Sequence, residues 1–273
     1  MSTTTELQAT PQAAPARAGF HLPTIQDNPI TAVPFSRLVR VETRKQVDTL
    51  AGRWFLIILG LVIVVAMTIM LFVDQGDHSY GNYLAAAGIP LGIFLPVLGI
   101  LSATQEWSQR TAMTTFALEP RRGRVVAAKI ASTVLLGLGA VVVTLALGAV
   151  GRLLGDLRGA ETPWGVDGWM IAGLTLMMTL YVLQGLAFGL AFLSTPAAIV
   201  AYFALPTLLP LMSLVSWLAT PYEWIDLTMT TAPLTTGEAL TGEQWGQLAV
   251  SVALWIGVPL VIGVWRVLRR EVK

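Results

Sequence analysis

Six stretches of the chain contain no Asp, Glu, Lys, Arg or His: residues 54–73, 84–104, 130–151, 169–193, 196–220 and 245–265. A helix rises about 1.5 Å per residue, so each run is long enough to cross a hydrocarbon core of about 30 Å. One ionised side chain at mid-bilayer would cost about 2.5–3.5 kcal/mol on insertion, and no run carries one. The pattern predicts an all-α polytopic membrane protein with six transmembrane helices.

A different periodicity precedes the first run. After Pro34, residues 35–53 place Phe35, Leu38, Val39, Val47 and Leu50 on one side at a 3.6-residue repeat. Arg37, Arg40, Arg44 and Asp48 fall on the other. This predicts an amphipathic helix lying in the membrane interface, with Arg53 and Trp54 marking the headgroup level. Glu42 and Gln46 fall near the apolar side, four residues apart; either they snorkel at its margin or they face protein. Residues 1–34 are polar, without the apolar core of a signal peptide, and are expected to form a disordered tail.

Within the spans, Pro90 and Pro96 fall in the second and Pro206 and Pro210 in the fifth. Each removes a backbone donor and tends to kink its helix, so these prolines are candidate kinks along a moving pathway. Gly88/Gly92, Gly151/Gly155 and Gly185/Gly189 are small-xxx-small pairs that allow close helix approach, chiefly within one subunit. Tyr181 and Gln184 are the notable polar groups of span four, suited to hydrogen bonding between helices. Segment 219–244 is too polar to span and too apolar for a solvated linker, and predicts short helices dipping into the headgroup layer.

Composition narrows the function. The chain is 55% hydrophobic and 12% charged, with a mean hydropathy of +0.69. The longest segment between spans is about 25 residues, too short for an appended catalytic domain. There is no cysteine, hence no disulfide, thiol nucleophile or Cys-based metal site. His21 and His78 both fall outside the spans, and no GxxxxGK[ST] loop is present to cradle ATP phosphates. Proton- and ion-coupled carriers keep ionisable residues within their spans; these spans have none. Basic residues divide fifteen to two between the two sides, which predicts cytoplasmic N- and C-termini. Arg outnumbers Lys fourteen to three, a bias that fits a GC-rich bacterial genome and so a bacterial inner membrane.

The loop after span two, QEWSQRTAMTTFALEPRRGRVVAAK at 105–129, is structured and charged beyond the needs of a connector. Glu106 and Arg110 stand in the order of a helical i,i+4 ion pair, and Pro120 is placed to stop that helix. Together with the leading SRLVRVETRKQVDT and the closing LWIGVPLVIGVWRVLRREVK, this loop resembles the permease subunits of ATP-binding-cassette exporters of the ABC-2 type. The resemblance covers residues 35–273. It implies a half-transporter without catalytic activity of its own, pairing with a second permease (copy or paralogue) and two ATPase subunits that bind ATP and Mg. It further implies that a loop containing Glu106, Arg110, Thr111, Glu119, Arg121, Arg122 and Arg124 couples to the ATPase, and that spans two and five line the path of an apolar or amphipathic substrate. Segment 219–244 would form re-entrant outer helices. Membrane lipids are expected as contacts, and nucleic acid is not expected as a partner. A secondary carrier or channel, and a non-transporting membrane assembly factor, are the competing readings.

Overall fold

The computed structural model describes residues 33–72, 78–159, 164–165 and 167–269. The expected tail at 1–34 therefore lies outside the described residues except for Val33 and Pro34, as do His21, Arg270 and Lys273. Every described element is helical, and six are long and apolar enough to cross a membrane. The protein is an all-α, multi-pass membrane protein.

Helix α1 (Phe35–Asp48) is followed after one residue by α2 (Leu50–Leu71), the first span. The expected amphipathic helix of 35–53 thus ends early, and Arg53 and Trp54 belong to the first turn of α2. The break has a local cause. Thr49 is extended, and its Oγ1 accepts the Gly52 N–H at 3.1 Å. A Cβ on Gly52 would lie 1.9 Å from the Gln46 carbonyl oxygen, so only glycine permits so sharp a turn.

Span two is α3 (Tyr80–Ser108); span three is α5 (Arg122–Leu157); between them sits the seven-residue α4 (Ala112–Leu118). The connector expected over 105–129 is therefore shorter, because α3 and α5 both run on past the apolar core. At 36 residues, α5 is about 54 Å long. Span four is α6 (Gly168–Phe192), and span five is α7 (Thr195–Leu208) continued by a 3-10 turn, Leu209–Leu214. Short helices α8 (Ser216–Ile225) and α9 (Leu227–Thr231) and a second 3-10 turn, Ala232–Thr235, lead to the last span. That span comprises α10 (Gly242–Val252), a π-turn at Ala253–Gly257 and α11 (Val258–Arg269).

The central pair is α3 and α6, the two most buried spans; α2 and α7 are the most exposed. In lipid there is no hydrophobic gain from pairing two apolar helices, so close approach of backbones carries the association. A Cβ on Gly185 would lie 1.9 Å from the Pro96 carbonyl, one on Gly99 2.2 Å from that of Val182, and one on Gly189 2.6 Å from the Ala103 methyl. Gly151 accepts the ring of Tyr83, and Gly263 lets α11 onto Leu190. Gly185/Gly189 and Gly151/Gly155 thus pack within the chain. Gly88 does not: a Cβ there meets nothing within 4 Å.

The prolines divide in the same way. Helix α3 continues through Pro90 and Pro96, both buried, with Pro96 in the seam against Gly185. Both are packed inside the bundle. In span five the α-helix ends two residues after Pro206, and Pro210 sits in the 3-10 turn that follows; two missing N–H donors account for the break.

Segment 219–244 folds back onto the bundle as short helices. Asp226 caps α9 by accepting from the N–H groups of Thr228 and Met229 at 2.8 and 3.1 Å. Trp255 Nε1–H donates to the Ile225 carbonyl at 2.6 Å. Gly173 admits the Leu234 carbonyl against α6.

Candidate functional site

Two places combine polar chemistry with a built environment. The first lies at the basic end of the bundle, where α1, the last turns of α3 and the first turns of α5 meet. Each helix brings a polar pair spaced i,i+4 to the same point: Glu42/Gln46, Ser102/Glu106 and Lys129/Thr133. The charged members form one tier. Lys129 Nζ lies 2.6 Å from Glu42 Oε2 and 3.3 Å from Glu106 Oε1, and Lys45 Nζ lies 2.6 Å from Glu42 Oε1 and 3.0 Å from Glu106 Oε1. Two acids and two amines close a neutral ring, with Glu42, Glu106 and Lys129 buried and Lys45 about 30% exposed. The neutral members form a second tier. Gln46 Nε2 is 2.7 Å from Ser102 Oγ, 3.0 Å from Ser132 Oγ and 3.2 Å from Thr133 Oγ1, and Ser102 and Thr133 share a bond of 3.0 Å.

The fields within the ring are opposed. Burial pushes the Glu42 carboxyl up, but the ammonium groups of Lys129 and Lys45 and their hydrogen bonds outweigh it and hold it below the usual value. Burial likewise pushes Lys45 down, and Glu106 and Glu42 outweigh it to hold the amine above its usual value. Both groups stay ionised over the whole physiological range.

The ring forms the root of α4. Arg110 takes a left-handed conformation, φ 58°, and the Thr111 N–H donates to the Glu106 carbonyl at 2.9 Å. This turn ends α3 at Ser108, so the i,i+4 pair expected between Glu106 and Arg110 does not form, and the helix stops well before Pro120. Glu119 is also turned inward, 2.9 Å from Arg124 Nη1. Arg122 bridges α4 to the last span: its guanidinium lies 4.8 Å from the Phe116 ring and donates to the Val267 carbonyl at 3.0 Å. Of the loop residues singled out from sequence, Arg110, Thr111 and Arg121 face outward, Arg122 and Arg124 are half-buried, and Glu106 and Glu119 are internal. Arg37, Arg40 and Arg44 are exposed, while Glu42 faces protein. Helix α4 itself exposes Met113 and Leu118. A groove of about 580 Å³ separates it from α1.

The second place is a cavity of about 600 Å³ bounded by α3, α6, α7, α9 and the π-turn and open on one side. Gly88 and Gly92, Tyr181, Gln184, Pro206 and Trp255 all line it. Tyr181 shares a hydrogen bond of 3.1 Å with Thr231, as expected of a group that joins helices. Gln184 makes no such bond among the described residues. Pro206 reaches this cavity; Pro90, Pro96 and Pro210 do not.

In the sequence, Lys45 and Lys129 count only among the fifteen basic residues of one side, and no motif singles out Ser102, Ser132 or Thr133. The three i,i+4 polar pairs were the available signal. Among the described residues, no group of three or more His, Asp or Glu is placed to hold a metal ion. Comparison with protein-family models and with curated proteins found no match for this chain.

Proposed function

We propose that this chain is the permease subunit of an ATP-driven exporter of the ABC-2 type, seated in a bacterial inner membrane with both termini cytoplasmic. The observation that carries the reading is α4. It is a short helix held outside the bundle, with apolar Met113 and Leu118 exposed, and its root is anchored to two spans and α1 through a buried charge ring. A helix so placed suits a partner that pushes on it. Force applied at α4 enters α3 through the Arg110 turn, α5 through Glu119 and Arg124, and the last span through Arg122. The work of ATP binding and hydrolysis, with Mg, belongs to two separate ATPase subunits, and a second permease completes the translocator. Glu106 and Glu119 act here as internal struts, leaving Met113, Leu118, Arg110 and Arg121 as the contact surface.

The test is co-purification. The tagged full chain extracted in mild detergent should bring down an ATP-hydrolysing subunit. Met113→Asp with Leu118→Asp should abolish that association while leaving the chain monodisperse, since both side chains are exposed. An ATPase that stays bound to this double variant would remove α4 from the docking surface.

A further inference from the structure

The cavity among α3, α6, α7 and α9 carries more information than its volume. At about 600 Å³ it falls within the range of sites that hold one drug-sized molecule, about 300–1,000 Å³. Its lining contains no Asp, Glu, Lys, Arg or His. A charged ligand would leave water here and find no counter-ion, which is prohibitive in a low-dielectric interior.

Gln184 supplies the opposite signal. It is 3% exposed, it lines the cavity, and its amide has no hydrogen-bond partner among the described residues. The amide borders the cavity rather than being sealed in protein, so its donor and acceptor are open to a ligand that offers an acceptor and a donor. Leu84, Leu174 and Met177 provide an apolar wall beside it. Ile89 and Phe203 line the cavity and are exposed, so the cavity opens on the surface of the bundle between α3 and α7.

We propose that this cavity binds a neutral amphipathic molecule, with a hydroxyl- or amide-bearing head on Gln184 and an apolar body along α3 and α6. It is a site within one subunit, reached laterally from the membrane. Naming the ligand as cargo rests on the exporter reading; the binding itself does not.

The experiment uses the full chain in nanodiscs and three photoreactive probes. They share one diazirine-bearing alkyl chain and differ in head group: a glycerol ether, a quaternary ammonium and a carboxylate. The glycerol ether should label residues of the cavity wall at least tenfold over the two charged probes. Gln184→Leu removes the hydrogen bonds and should lower labelling about fivefold, the worth of one neutral hydrogen bond of about 1 kcal/mol. Gly88→Phe should abolish it, because Gly88 lines the cavity, a Cβ there meets nothing within 4 Å, and the ring would compete with the ligand for the space. Both variants are scored only as monodisperse protein, and either suffices. Equal labelling by all three probes, or labelling unchanged in the variants, overturns the site. Excess unlabelled glycerol ether should compete. Competition by excess phospholipid instead would make this a bilayer-lipid site and overturn the cargo assignment. No ATPase enters the assay, so failure here leaves the docking result untouched, and the reverse also holds.

Discussion

Lys129→Met breaks the charge ring at its most buried member. The side chain is 3% exposed and touches Glu42 at 2.6 Å and Glu106 at 3.3 Å. Without it, two buried carboxylates share the single ammonium of Lys45, and the ring carries a net charge of −1. Removing one partner of a buried pair costs about 3–5 kcal/mol, most of it the penalty of the charge left behind. Glu42→Leu should cost a similar amount, with the opposite excess charge. The double variant removes one charge of each sign and retains the Lys45–Glu106 pair at 3.0 Å. A balanced apolar replacement is nearly neutral, so the double variant should be more stable than either single one, with a coupling of at least about 2 kcal/mol. SDS titration of the purified chain in mixed micelles, followed by tryptophan fluorescence, measures all four species. The pH dependence supplies an independent check on sign. Glu42 is held below its usual value, so its contribution is complete above about pH 4.3 and is lost as pH falls through its lower folded value. Lys45 is held above its usual value, so its contribution is complete below about pH 10.4 and is lost as pH rises through its higher folded value. These two groups therefore add no pH dependence to the parent protein between these limits. In Lys129→Met, protonating a carboxylate relieves the excess charge, and the defect should shrink as pH falls. Costs that simply add in the double variant, together with a defect independent of pH, would refute the ring as an electrostatic unit.

The glycines give a matched pair of predictions. Gly185→Ala sets a methyl 1.9 Å from the Pro96 carbonyl and should cost about 1–3 kcal/mol or more by prying α3 from α6; Gly88→Ala, in open space, should be neutral in the same unfolding assay. Orientation is read with single cysteines in this cysteine-free chain. A membrane-impermeant thiol reagent on intact cells should label Glu238→Cys, and Met113→Cys only after permeabilisation; the reverse pattern would invert the proposed topology.

The sequence by itself determined the solvent. Six charge-free runs leave the backbone of each no stable option in lipid but a helix, because every N–H and C=O must be satisfied within the segment. Fold class and span positions followed from that single constraint. Local chemistry also marked the short helices of 219–244 and the break in span five at Pro206 and Pro210. Partner choice was beyond its reach. Glu42 and Gln46 could be placed near the apolar side of α1, but whether that face met lipid or protein depended on where α3 and α5 passed, and neither helix is a neighbour in sequence. Glu106 reads as an i,i+4 partner for Arg110 until the left-handed turn at Arg110 takes the guanidinium away and Lys45 and Lys129 approach from other helices. Gly88/Gly92 and Gly185/Gly189 carry the same motif; one lines a cavity and the other seals the central seam. Helix periodicity assigns each side chain to a face of its own helix, whereas the neighbour across that face is set by how six helices share one cross-section. Only the packed bundle decides which small residues bring backbones together and which leave room for a ligand.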